Sequence, residues 1–214
     1  MFLPNRDIIN KAQRGLLISK EFEPSLVKQA SYDLRLGEEI YVVGKRAPEK
    51  ITDRNPYVSI QPGQFAILTS YEEIKIPDNI LAFISVRTTF KIQGLVNVSG
   101  FHVDPSYEGK LLFVVQNIGP AEIRLKYKTA TFSIFFSYLT SNKIGKKRDQ
   151  ESDLHFKPKL SGIRLEDVQL LGGSSVTLGK LQKDLDRLKL QVLIYGPFAV
   201  AAFIALLIKL FQSK

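Results

Sequence analysis

Residues 97–117 read NVSGFHVDPSYEGKLLFVVQN and alternate apolar with polar residues on both sides of an Asp-Pro pair at Asp104 and Pro105. Alternation with a period of two predicts paired β-strands. Proline lacks the amide hydrogen that a strand ladder needs, so the pair interrupts the predicted hairpin. An interruption of this kind frees backbone donors and acceptors for a ligand, although a plain bulge at a barrel corner gives the same pattern.

The first 140 residues continue this strand pattern after an opening helix at about residues 6–14. The other alternating runs are EIYVV, YVSI, QFAILTS, LAFISV, LVNVSG, AEIRLK and ATFSIFFSYL. Many short strands bounded by glycine and proline predict a mainly β fold of the sandwich, barrel or jelly-roll type. From about residue 141 to 175 the pattern gives way to polar and charged residues, which predicts a linker or extended arm.

The composition narrows the classes of function. The 214-residue chain has no cysteine, which excludes a disulfide scaffold and thiolate metal sites, and its two histidines are too few for a histidine-rich zinc site. The net charge of +9 favours anionic partners. The basic cluster at residues 143–148 is interpreted as a solvated linker, because no aromatic residues alternate with its charges to stack bases. Nucleic acid is therefore not an expected partner.

The C-terminal sequence differs from the rest. From Val192 to Ile208 it reads VLIYGPFAVAAFIALLI, without an ionisable acid or base. With the two preceding residues the helix would be about 28 Å long at ~1.5 Å per residue, close to the thickness of a bilayer core. A buried core helix would usually keep a polar edge, so we predict a single transmembrane helix over 192–211.

The segment before this helix carries a second pattern. Leucines at positions 178, 181, 185 and 188, followed by Val192, have the a/d spacing of a coiled coil, and predict a stalk over 176–191. The stalk is basic, and positive charge next to a membrane span favours the cytoplasmic side. We therefore expect a single-pass membrane protein with a cytoplasmic head.

Three stretches of the head together resemble the dCTP deaminase and dUTPase superfamily. They are QASYDLRLG at 29–37, SVRTTF at 85–90 and GFHVDPSYEGKL at 100–111, and their order and spacing match over about residues 1–140. The resemblance implies a distorted β-barrel or jelly roll that forms a homotrimer, with nucleotide sites between subunits. The expected organisation is a head at 1–140, an arm at 141–175, a stalk at 176–191 and a membrane helix at 192–211.

The same resemblance implies roles for individual residues. The hairpin would hold the nucleoside, with Asp104 at the 3′-hydroxyl or a catalytic water. The residues expected to bind nucleotide are Arg87, Thr88, Thr89, Gly100, Asp104 and Tyr107, with Asp33 on the phosphate and magnesium side. Mg²⁺ would enter with the triphosphate, and zinc is not expected.

The sequence also departs from this family. In the family, a glutamate ten residues after the hairpin aspartate activates water. The corresponding position in this sequence is Val114, and valine cannot accept a proton. A second family arginine falls at Ile92, and Lys128 and Ser133 replace the glycine and glutamine of a later motif.

These departures favour a membrane-anchored pyrimidine deoxynucleoside triphosphate binder, a sensor or effector without deaminase activity. One alternative is an active dUTP or dCTP diphosphatase or dCTP deaminase, for which Asp104 would be catalytic and His102 and Glu108 are further candidates. The other is a purely structural trimeric membrane scaffold.

Overall fold

The computed structural model describes residues 1–140, 162–170 and 178–212, which form two compact units, Met1–Ser175 and Val176–Lys214. The helices of the first unit are α1 (Asn5–Gln13), α2 (Thr88–Ile92) and α3 (Leu165–Leu170), with a 3₁₀ turn at Pro24–Leu26. Its strands are β1 (Leu17–Lys20), β2 (Tyr32–Val42), β3 (Glu49–Lys50), β4 (Tyr57–Ile60), β5 (Phe65–Lys75), β6 (Ile80–Val86), β7 (Leu95–Asn97), β8 (His102–Val103), β9 (Glu108–Asn117), β10 (Ile123–Lys126) and β11 (Ala130–Tyr138).

The strands form one curled antiparallel sheet and a small second pair. The order in the main sheet is β7-β9-β5-β2-β11-β6-β8, with β1 paired to β5 and β3 to β2, while β4 and β10 pair separately. The mainly β fold that the sequence predicts is confirmed. Strands distant in sequence are neighbours, so β11 lies between β2 and β6 and brings their residues together.

The core fills the inside of the curled sheet. Every second side chain of β9 is buried, as its alternating sequence predicts. The rings of Phe113 on β9 and Phe132 on β11 stack at 3.7 Å between centroids. Gly37 on β2 faces the backbone of Ser70 on β5, and a Cβ there would lie 2.5 Å from the Ser70 carbonyl oxygen. Close approach of these two strands therefore requires glycine.

A charged pair lies inside this apolar core. The fully buried Glu72 lies beside a register shift in β5 and on the same face of the strand as the core residues Leu68 and Ile74. Its carboxylate accepts from Arg35 Nε at 2.7 Å, from the Arg35 backbone N–H at 3.0 Å and from the Tyr32 hydroxyl at 3.3 Å. Burial raises the pKa of Glu72, and the charge and hydrogen bonds of Arg35 oppose that rise. Each of the two charges is compensated only while its partner is present.

Part of the predicted arm packs on the sheet. Ile163 and Val168, before and within α3, pack against a second apolar cluster of Tyr41, Val43 and Ile67. The backbone N–H of Ile163 donates to the Glu39 carboxylate at 3.0 Å. The remainder of the arm, 141–161 and 171–175, lies outside the described residues.

The second unit is one helix, α4 (Leu178–Gln212), which continues through Pro197. It includes a segment long and apolar enough to cross a membrane, Asp184–Ala205, with a mean hydropathy of 1.7. The predicted stalk and membrane segment are thus parts of one continuous helix where the structure describes them. The side chains of Leu181, Leu185 and Leu188 on the predicted seam are exposed in the single chain. The coiled coil stays a prediction.

Candidate functional site

A buried carboxylate joins three strands at one end of the sheet. Asp33 on β2 is 4% exposed. One of its oxygens, Oδ1, accepts from the Ser133 hydroxyl at 2.8 Å, and the other, Oδ2, lies 3.3 Å from Arg87 Nε. The structure therefore brings together Asp33 and Arg87, which the sequence predicts as site residues. It adds Ser133, noted in the sequence only as a departure from the family.

The backbone around Arg87 fixes its guanidinium. The Arg87 backbone N–H donates to the Thr131 carbonyl at 3.0 Å, and Nη1 donates to the Ala130 carbonyl at 3.2 Å. Thr88 and Thr89 follow directly as the exposed first residues of α2. Guanidinium and hydroxyl groups in this arrangement suit the oxygens of a phosphate.

A lysine that the sequence reasoning missed belongs to the same cluster. Lys28 Nζ lies 3.8 Å from Asp33 Oδ2, the oxygen that also faces Arg87. Its position immediately before the QASYDLRLG stretch is the sequence feature that could have indicated Lys28 as a site residue.

The interrupted hairpin has an open tip. Asp104 lies between β8 and β9 with its side chain 78% exposed, and its Oδ1 is 3.6 Å from His102 Nε2. Gly100 is also exposed, and its carbonyl accepts from the Asn97 side chain at 3.0 Å. A carboxylate, an imidazole and backbone groups thus converge at a solvent-accessible turn.

Tyr107 supports this turn from the core side. Its ring packs against the main apolar core, and its hydroxyl donates to the Lys110 carbonyl. Burial raises the pKa of Tyr107 to about 12, so the phenol is neutral at physiological pH. These contacts brace the hairpin, and the role of Tyr107 in nucleotide binding stays a prediction.

Val114 lies on the half-buried face of β9, in an apolar setting. It packs against the second apolar cluster, which α3 also contacts. Ile67, a member of that cluster on β5, is the residue paired with Val114 in the sheet. Its backbone N–H donates to the Ser99 hydroxyl at 3.0 Å, and its carbonyl accepts from the Val98 N–H at 2.8 Å. These bonds tie the position to the loop that carries Gly100.

The two halves of the predicted site are far apart within one chain. Val103 lies opposite Ala82 on β6, Asp104 follows Val103 in the direction away from Arg87, and Arg87 is five residues beyond Ala82. At ~3.3 Å per residue the two side chains start about 20 Å apart along the sheet. That separation exceeds the distance between the sugar and the phosphates of one nucleotide. Arg87 and Asp104 of one chain are therefore not neighbours along the sheet.

The cluster does not offer a carboxylate to a resident metal ion. Both Asp33 oxygens already face Ser133, Arg87 and Lys28. Among the described residues, no three histidines, aspartates or glutamates are grouped so that they could hold a metal. Mg²⁺ at this site would therefore enter with a triphosphate as part of the ligand.

Comparison with known proteins gives concordant matches. The family model described as dCTP deaminase-like matches residues 2–138. A dCTP deaminase of Pyrococcus abyssi is 31% identical over 126 residues, which are 59% of this chain and 79% of the relative. A dUMP-forming dCTP deaminase of Methanosphaera stadtmanae is 27% identical over 198 residues, covering 80% of this chain and 98% of the relative.

A solved structure shows the same fold. The 2′-deoxycytidine 5′-triphosphate deaminase of Agrobacterium tumefaciens matches with a TM-score of 0.54 and 17% identity, covering 64% of this chain and 48% of that one. This chain thus spans about half of that protein. The resemblance predicted from the three sequence motifs is confirmed.

Proposed function

We propose that this chain, which belongs to the dCTP deaminase-like family, binds a pyrimidine deoxynucleoside triphosphate without deaminating it. The observation that carries the proposal is Val114, which packs in an apolar cluster at the position where the family resemblance implies a carboxylate. Hydrolytic deamination needs a group that takes a proton from water and passes it to the leaving amine. A hydrocarbon side chain supplies neither step.

The groups suited to holding a nucleotide are retained. Arg87 and the threonines beside it would contact phosphate, and the open hairpin with Asp104 and Gly100 would contact sugar and base. The 20 Å estimate between the two halves supports sites between subunits, as in a homotrimer in which each chain contributes one half to each of two sites.

The C-terminal helix supports a membrane-anchored sensor or effector with its head in the cytoplasm. The apolar segment of α4 would cross the bilayer. Nucleotide binding between subunits would change their packing, and α3 would pass that change on. It docks on the cluster that includes Val114 and ends eight residues before α4 begins.

Ile163→Asp is expected to release this docked segment. A charge at that position would enter the apolar cluster beside the Glu39 carboxylate, and loss of the partly buried isoleucine side chain costs about 1.5 kcal/mol, the lower end of the range for a fully buried one. The rate of tryptic cleavage after Arg164, measured by mass spectrometry on the full-length protein, should rise about tenfold or more. Gln169→Ala, at an exposed position of α3 farther from the scissile bond, is the matched control and should leave the rate unchanged. Equal cleavage in wild type and Ile163→Asp would show that the docking contributes nothing.

Calorimetry on the full-length protein in detergent tests the proposed function. Titration with dCTP, dUTP and dTTP is expected to show binding of at least one nucleotide. Parallel incubations with Mg²⁺ should release neither ammonia nor pyrophosphate. Absence of binding at millimolar nucleotide would end the proposal, and turnover that disappears in Asp104→Asn would replace it with an enzyme.

One observation favours that second candidate, an active nucleotide hydrolase. His102 and Asp104 form a pair at the open hairpin, and an imidazole held beside a carboxylate can accept a proton from water. If this pair is the base, product formation should be detectable in wild type and lost in His102→Gln. Product formation that His102→Gln leaves intact would place the base elsewhere.

A further inference from the structure

We infer that the phosphate end of the site is a two-cation cradle for a polyphosphate, in which Lys28 binds the ligand and Asp33 positions both Lys28 and Arg87. The inference rests on the proposed function and deepens it, because it assigns a binding residue outside the three family-like stretches. It also assigns Asp33 a role that acts through other side chains.

The surroundings of Asp33 define that role. The carboxylate is buried, and Oδ1 is taken by the Ser133 hydroxyl. Its other oxygen, Oδ2, faces two cations at once, Arg87 Nε at 3.3 Å and Lys28 Nζ at 3.8 Å. One negative charge between two positive charges leaves the cluster net positive. Such a carboxylate orients its neighbours and leaves their outer faces available for an anion.

Lys28 is held by its backbone and open at its tip. Its N–H donates to the Ser31 carbonyl at 2.8 Å, and the neighbouring Val27 bridges to Tyr32. The side chain is nonetheless 52% exposed, and that of Arg87 is 36% exposed. The fixed backbone limits the conformational entropy that ligand binding would cost, and the exposed ammonium can reach a phosphate oxygen.

A polyphosphate fits this arrangement better than a single phosphate group. Two cations that share one carboxylate oxygen can contact different oxygens of a chain of phosphates, while Thr88 and Thr89 stand beside Arg87 as hydroxyl donors. A polyphosphate with several negative charges is also attracted most strongly to a net positive cluster, and added salt weakens that attraction.

Lys28→Ala is the first test, with inorganic tripolyphosphate as the probe. Calorimetry on the full-length protein, at low ionic strength and in EDTA, should show binding by wild type and about tenfold weaker binding by Lys28→Ala, since one charge-assisted contact contributes about 1.5 kcal/mol or more. Lys45→Ala is the matched control. Lys45 is similarly exposed and also faces a carboxylate, that of Glu49, and its removal should leave the affinity unchanged.

Asp33→Asn separates positioning from metal binding. It removes a negative charge, which by charge alone would tighten anion binding, but a positioning role predicts weaker binding of tripolyphosphate even in EDTA. Unchanged or tighter binding would overturn the positioning role, and weakening seen only with Mg²⁺ would assign Asp33 to a metal instead.

The titrations also distinguish this inference from the function on which it rests. If wild type binds dCTP and Lys28→Ala binds both ligands equally well, the cradle is wrong and the nucleotide function stands. Lys28-dependent binding of tripolyphosphate without binding of any nucleotide would support the cradle and end the nucleotide proposal. Binding of neither ligand by wild type would overturn both.

Discussion

Glu72→Ala is expected to destabilise the first unit by about 3–5 kcal/mol, because removing one partner of a buried ion pair leaves the other charge uncompensated. The remaining partner is Arg35, whose side chain is only 17% exposed. The substitution also removes the acceptor of the Arg35 backbone N–H and of the Tyr32 hydroxyl, deep in the sheet.

The adjacent residue supplies the control. Glu73 pairs with Lys20 at the surface, and exposed pairs contribute at most about 1 kcal/mol. Urea unfolding of the full-length protein in detergent, followed by the near-ultraviolet circular dichroism of its eight tyrosines, measures both variants. If Glu72→Ala and Glu73→Ala lowered the free energy of unfolding equally, the buried pair would have no special role.

This pair shows where sequence reasoning stops. In the run YEEIK, composition alone would place both Glu72 and Glu73 at the surface of a strand. Glu72 nevertheless has the period-two phase of Leu68 and Ile74, which face the core, so alternation points it inward. Its partner Arg35 comes from β2, and a contact between strands distant in sequence is what a local pattern does not encode.

The fold class and the long C-terminal helix were predictable for the opposite reason. Period-two alternation in β9 and an uninterrupted apolar run in α4 are local signals, and each reports which faces of its own element are apolar. The packing of the arm was harder to predict, because α3 has only six residues and the described contacts with the sheet come from Ile163, just before it, and Val168 within it. So short a segment carries no measurable period.

The site was predictable as a set of residues but not as an arrangement. Asp33 and Arg87 were expected from separate motifs, and their contact arises because β11 lies between β2 and β6. The place of Lys28 in the site could be recognised only in the structure, since its proximity to Asp33 follows from the turn before β2. The distance between Arg87 and Asp104 along β6 also depends on strand register.

Arg87→Ala and Asp104→Ala are each expected to weaken nucleotide binding at least tenfold, since each removes charge-assisted contacts worth about 1.5–3 kcal/mol. If every site combines Arg87 of one chain with Asp104 of a neighbour, co-expression of the two variants should restore some complete sites. Random assortment in a closed ring of three makes about a quarter of the sites wild type at both positions. The measured quantity is the number of high-affinity sites per chain in calorimetry with the nucleotide that wild type binds.

A second mixture gives the control for this recovery. Arg87→Ala chains co-expressed with the double variant Arg87→Ala/Asp104→Ala contain no wild-type arginine at position 87, so no high-affinity site should appear. Light scattering would establish that both mixtures assemble like wild type. Recovery in the first mixture alone would place the site between chains, because the two halves, about 20 Å apart along β6 in one chain, could then meet only across an interface. Normal assembly with no recovery would mean that each site is built within a single chain.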